Sequence, residues 1–159
     1  MTNKIQLSKI ELSKLLSEGI SHHQSGDLTK AKTTYTKILG IDQNQSEALH
    51  LLGLIYAQSN LPDLAISHIQ KAISVQSNNP IFHNNLGLIF HSQSLFRDAI
   101  SCFRLAIEIA PNYAEAFNNL GNSQEAIGLF LEAISSYRSA IEIAPNYAEA
   151  FNNLGNSQE

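Results

Sequence analysis

The chain has 159 residues, 43% of them hydrophobic, with four prolines, one cysteine, no tryptophan and a formal net charge of -4. That balance suits a soluble, mostly helical protein, and it argues against a nucleic-acid surface: residues 80–159 carry eight acids against three arginines, so the basic stripe that phosphates need is missing. The opening MTNKIQLSKIELSKLL has no apolar run long enough for a signal peptide or membrane span, and the lone Cys102 suits a reducing compartment, so a cytoplasmic setting is expected.

Along the chain the apolar period is helical, and breakers recur in two kinds of place. The spacing predicts a first helix over 8–24, with residues 1–11 as a capping extension, broken at Gly26-Asp27. A second helix over 28–40 ends at Asp42 to Gln45, and pairs over 46–58 and 62–75 and over 80–92 and 96–109 follow. The last pair is expected over 114–126 and 130–143, with a lone helix from 148. Helices of about a dozen residues are marginal alone in water, so these must stack.

The stacking has a fixed period. Residues 106–125 (AIEIAPNYAEAFNNLGNSQE) recur letter for letter as 140–159, 34 residues later. On that ruler Gly19, Gly53, Gly87, Gly121 and Gly155 share one phase and Ala31, Ala65, Ala99 and Ala133 another. Tyr35, Ile69, Phe103 and Tyr137 share a third. The units read 12–45, 46–79, 80–113 and 114–147, with a truncated fifth over 148–159. A mid-helix glycine costs roughly 1 kcal/mol relative to alanine, so this column implies close helix approach, with the alanine and the large residue of the second helix packed at the crossing.

The motif Leu86-Gly87-x2-Phe90, Ala99-x3-Phe103, Ala106-x4-Pro111 resembles the tetratricopeptide repeat, and the likeness runs over 12–159. The resemblance implies an all-α, right-handed superhelical solenoid of antiparallel helix pairs: four full repeats and the first helix of a fifth. Departures occur at the signature tryptophan (Leu15, Leu49, His83, Phe117, Phe151) and at the following aromatic (His22, Gln124, Gln158), where looser packing is expected.

In such arrays, the resemblance implies, the outer face of each first helix lines a concave groove that holds extended peptides or partner helices. Here the groove set reads Ile81, Asn84, Asn85, Leu88 and His91, then Glu115, Asn118, Asn119, Asn122 and Glu125, then Glu149, Asn152, Asn153, Asn156 and Glu159. Asparagine is a mediocre helix former, so paired asparagines in three successive helices require a reason. One is an amide ladder of Asn85, Asn119 and Asn153 gripping a partner backbone, which offers alternating donors and acceptors. The array resembles in this respect the repeats that precede the catalytic domain of O-linked N-acetylglucosamine transferases, and related bacterial glycosyltransferase and sulfotransferase chains. The other is a solvated face multiplied by duplication.

Toward the N-terminus the same positions hold Leu16, Ile20, Leu51 and Leu54, an apolar groove open to a partner, to the capping segment or to a second copy. No lysine or arginine stands at a groove position, so a basic or neutral peptide is expected rather than an acidic tail.

Catalysis finds little footing. The six histidines show no metal-ligand spacing, and groove-facing His23, His50 and His91 would stand about 10 Å apart, too far to share one ion. No phosphate loop or nucleophile elbow is present, and Cys102 occupies a partly buried, inert position. No catalytic residue, cofactor or metal is expected.

Two functions stand open: a peptide- or protein-binding scaffold, or the substrate-recruiting part of a larger transferase with its chemistry beyond residue 159. The last helix presents Phe151 and Leu154 toward a second helix that is not there, which predicts a fragment of a longer protein, or self-association through that end.

Overall fold

A computed structural model describes residues 8–157, and it is helical throughout. The helices are α1 (Ser8–Gln24), α2 (Leu28–Ile41), α3 (Ser46–Gln58), α4 (Pro62–Val75), α5 (Pro80–Ser92), α6 (Phe96–Ile109), α7 (Ala114–Glu125), α8 (Phe130–Ile143) and α9 (Ala148–Asn156). Of the N-terminal extension, residues 1–7 lie outside the described residues, as does Glu159. The chain forms two compact units, residues 1–77 and 78–159. In the first, α1 packs on α2, α2 on α3 and α3 on α4; in the second, α5 to α9 pack consecutively in the same manner.

The turn inside each pair explains why its helices stop where they do. Gly26, Asn60, Ser94 and Gly128, spaced by one repeat, all adopt positive φ, from 56° to 81°. In each case the next residue's N–H closes back five positions: Asp27 to His22, Leu61 to Tyr56, Leu95 to Phe90 and Leu129 to Gln124, every bond 2.9 Å. This is the Schellman geometry, which satisfies carbonyls that the helix end would leave bare. Glycine enters the left-handed region freely; asparagine and serine stand there at a cost, which the repeated bond offsets.

Within each pair the second helix lays one large side chain over the glycine of the first. Tyr35, Ile69, Phe103 and Tyr137 are fully buried, and so are the alanines four residues before them. A Cβ on Gly87 would stand 2.6 Å from Phe103 Cε1, and one on Gly53 would stand 2.6 Å from Ile69 Cγ1 and 3.2 Å from the Ala65 carbonyl. The large residue therefore sits directly on the glycine, with the alanine bringing the backbones together. In unit 1 the core joins Leu15, Ala31, Tyr35, Ile38, Ala48, Leu52 and Ile55. In unit 2 Leu120 of α7 closes on Ala99, Ile100 and Phe103 of α6. First helices thus pack backward as well as forward, and Leu154, the repeat of Leu120, is half-buried.

At Gln124 the departure from the repeat signature does not loosen the packing. At the spacing of twelve that separates Tyr56 from His68, whose tilted rings meet with centroids 5.0 Å apart, unit 2 places Gln124 and Ser136. Both are buried, and Ser136 Oγ donates to Gln124 Oε1 at 2.7 Å. One pair exchanged an aromatic contact for a hydrogen bond at the same address.

Gly87→Ala and Gly121→Ala should each destabilise the chain by about 1–3 kcal/mol through overpacking, outweighing the ~1 kcal/mol that alanine gains as a helix former. Gly155→Ala, where nothing lies within 4 Å, should be neutral or slightly stabilising. Urea unfolding of the three variants checks the contrast; equal effects would remove the ring-on-glycine contact as the reason for the column.

Candidate functional site

The asparagine pairs of α5, α7 and α9 meet one another. Asn119 Nδ2 donates to Asn84 Oδ1 at 3.1 Å, and Asn153 Nδ2 donates to Asn118 Oδ1 at 3.0 Å and Asn122 Oδ1 at 2.9 Å. Asn118 Nδ2 in turn donates to Glu149 Oε1 at 2.9 Å. The second asparagine of each helix therefore reaches back to the first asparagine of the helix before it. Asn84 and Asn118 are fully buried and Asn119 nearly so. Asn84, Asn118 and Asn119, all members of the groove set read from the sequence, are thus turned into the seam between neighbouring first helices.

Hydroxyls extend the network. Tyr137 Oη lies 2.9 Å from both Asn122 Oδ1 and Glu125 Oε2, and Ser157 Oγ donates to Glu125 Oε1 at 3.0 Å. Burial, with the Glu125 carboxylate beside it, raises the Tyr137 phenol far above its ordinary pKa. Ser123 Oγ donates to the Asn119 carbonyl and lies 2.8 Å from His91 Nδ1, and burial lowers the His91 pKa.

The remaining candidates divide by exposure. Ile81, Leu88, Glu115, Glu149, Asn152 and Asn156 are exposed, while Asn85, His91, Asn122, Glu125 and Asn153 are half-buried. In unit 1, Leu16, Ile20, Leu51 and Leu54 are half-buried, with Leu16 and Leu51 packed against the core. That apolar stripe is partly spent on its own unit. His50 is buried, and desolvation drops its pKa to about 4, so it is not a groove histidine. His23 Nε2 lies 3.3 Å from Gln58 Oε1. Among the described residues no group of three histidine, cysteine or acidic side chains is placed to hold a metal ion. Cys102 is buried, its thiol pushed up to about 11 by desolvation and Asp98.

Charge is partitioned by helix. α3, α5, α7 and α9 contain no lysine or arginine; their charged residues are Glu47, Glu115, Glu125 and Glu149. Apart from α1, the cations of the described helices stand on second helices: Lys30, Lys32 and Lys37 on α2, Lys71 on α4, Arg97 and Arg104 on α6, Arg138 on α8. The carboxylates of Glu125 and Glu149 are held by hydroxyl and amide donors rather than by cations.

Family profiles described as tetratricopeptide repeat match residues 15–45, 46–79 and 80–113, and one described as TPR repeat matches 130–159. The chain belongs to the tetratricopeptide repeat family. Its fold matches the crystal structure of MamA over 87% of this chain and 81% of that one, with 28% identity and a TM-score of 0.81. It also matches the first repeat domain of Spaghetti (RPAP3) bound to an HSP90 peptide, SRMEEVD, at 26% identity, covering 74% and 93%, TM-score 0.70. YrrB, described as a TPR protein with an unusual peptide-binding site, matches at 23% identity, covering 90% and 74%, TM-score 0.77. The all-α tetratricopeptide architecture expected from the repeats is the one found, and such folds serve as interaction scaffolds. No curated protein sequence matches the chain.

Two outcomes test this geometry. Asn118→Ala removes a buried amide that serves Asn153 and Glu149 and should cost about 1–3 kcal/mol, whereas Asn152→Ala, at the same repeat position but exposed, should stay within about 0.5 kcal/mol. Equal losses in thermal unfolding would remove the seam from the account. His50 supplies the second. Its folded pKa lies below the unfolded one, so the stability it contributes is present above about 6.5 and is lost as pH falls toward 4. His50→Gln should flatten that part of the pH–stability curve, as measured by urea midpoints from pH 7 to 4.

Proposed function

We propose that the chain is a protein-binding scaffold whose contact face is the outer surface of its first helices, and that it takes an extended peptide of neutral or basic character. The observation that carries this is the charge partition: the first helices of units 46–79 onward present amides, leucines, isoleucine and carboxylates without a single cation. Ile81 and Leu88 supply apolar contacts on α5, and Glu115, Asn122, Glu125 and Asn152 supply acceptors and donors farther along. The carboxylates of a peptide like the HSP90 segment bound by Spaghetti, two adjacent glutamates and a terminal aspartate, would meet only like charge here.

In this reading the ladder asparagines have a different task from gripping the peptide. Asn119 and Asn153 use their Nδ2 groups on neighbouring helices, so they hold the face rigid, and a rigid face loses less entropy on binding. The 34-residue units 12–45, 46–79, 80–113 and 114–147 each contribute one first-helix face, and the lone buried Cys102 is consistent with a reducing, cytoplasmic setting. The likeness to transferase arrays rests on sequence wording alone; none of the three matched structures named above is described as a transferase.

Selection from a displayed random-peptide library should enrich lysine- and arginine-containing sequences. Their affinity should fall several-fold toward 1 M salt, where the screening length drops to about 3 Å. Glu115→Gln with Glu149→Gln removes charge while keeping the acceptor that Asn118 uses, and should weaken binding in the same sense. Enrichment of acidic peptides, or binding indifferent to salt and to both substitutions, would sink the proposal.

A further inference from the structure

The acceptors gathered at the C-terminal end of α7 share too few protons. The Tyr137 hydroxyl lies 2.9 Å from both Asn122 Oδ1 and Glu125 Oε2, yet it has one hydrogen to give. Burial, with the Glu125 carboxylate beside it, raises its pKa, so at neutral pH it stays a single donor and no more. Ser157 Oγ is in the same situation, 3.0 Å from both Glu125 Oε1 and the Asn153 carbonyl. The Asn153 Nδ2 hydrogens are already spent on Asn118 Oδ1 and Asn122 Oδ1. Two hydroxyl protons therefore serve four acceptor contacts around a half-buried carboxylate. Among the described residues no lysine, arginine or histidine stands within ion-pair distance of Glu125. Because α7 ends at Glu125, the negative end of its dipole adds to the demand for a cation.

We propose that Asn122, Glu125 and the Tyr137 hydroxyl form a subsite for one lysine ammonium of the bound peptide. The subsite belongs to the contact face described above and rests on that reading, which it narrows from basic character to one residue type at one place. An ammonium brings three donors to a point, and that matches acceptors converging on the Tyr137 oxygen. A guanidinium fork needs a carboxylate with both oxygens open side by side. Here each oxygen of Glu125 already faces a different hydroxyl, Tyr137 on one side and Ser157 on the other. Lysine is therefore preferred to arginine. Along α1, α3, α5 and α7 the subsite is built once: where α7 has Asn122 and Glu125, the earlier helices have Ile20 and His23, Leu54 and Ala57, and Leu88 and His91.

The probe is Nα-acetyl-lysine N-methylamide, titrated at constant ionic strength into the intact, isotope-labelled 159-residue chain, with the side-chain amide signals of Asn122 and Asn153 followed by NMR. Saturable shifts of both are expected. The norleucine analogue, which lacks the ammonium, should produce none, and the arginine analogue should bind at least about fivefold more weakly. Glu125→Gln should weaken the lysine compound at least about tenfold. The two analogue comparisons use the unaltered chain, so they decide the matter even where Glu125→Gln disturbs the packing of α7 on α9. No saturable shift, equal binding of either analogue, or equal binding to a folded Glu125→Gln chain overturns the proposal. So does reproduction of the shifts by sodium chloride against tetramethylammonium chloride, which would assign the oxygens to a metal ion. The wider reading fails separately: displayed peptides that still enrich lysine while this compound leaves Asn122 and Asn153 unmoved would keep the basic-peptide face and remove only the subsite.

Discussion

Everything in this fold depends on one contact, a large side chain of the second helix seated on a glycine of the first. The glycine is a poor helix former, and its persistence at Gly19, Gly53, Gly87 and Gly121 is the mark of what lies above it: Tyr35, Ile69, Phe103 and Tyr137. Each of these is fully buried, worth about 1.5–3 kcal/mol of apolar transfer, and each stands four residues after an alanine that lets the backbones close. Because the contact is local to a pair, it sets the crossing of the pair but not the order of pairs.

That second task falls to polar groups. Between α5, α7 and α9 the asparagine bonds run at separations of 31 and 35 residues, Asn118 to Glu149 and Asn122 to Asn153 at the first, Asn84 to Asn119 and Asn118 to Asn153 at the second. Leucine at these places would pack at many offsets. An amide with a partner one repeat away, plus or minus a few residues, accepts few registers, because a missed hydrogen bond in a buried seam leaves a costly unpaired group. The seam is not everywhere complete, for Asn84 Nδ2 is buried without a partner, and in the first unit so is the Tyr35 hydroxyl of α2. Tyr35 lacks what Tyr137 has, because Ile20 and His23 stand where the later unit has Asn122 and Glu125.

The helices were legible in the sequence almost to the residue, since each end is marked by a breaker at fixed phase and Gly26, Asn60, Ser94 and Gly128 must all turn left-handed. The glycine column and its overlying residues were legible too. The destination of the asparagines was not. A helical wheel places Asn84 and Asn85 on one broad face, and only the neighbouring helix decides that the first is sealed in the seam. The readable signal was the doublet itself: a lone asparagine repeated at 34 cannot reach its copy, but a doublet can bond at 35. Gln124 was misread for a related reason, since its match to Ser136 lies in the opposite helix, twelve residues on.

The duplicated segment shows how much of such a surface belongs to a residue and how much to its neighbours. Asn118 and Asn152 share type, phase and flanking sequence, yet one is fully buried and the other exposed. The difference is supplied by the helix that follows, through Glu149 and Asn153. In unit 2 the outward chemistry of α7 is therefore edited by α9, which takes Asn118 into the seam and leaves Glu115 to solvent. A substitution in α9 therefore changes the face that α7 presents, so in unit 2 the outward chemistry belongs to overlapping pairs of first helices and not to a single repeat.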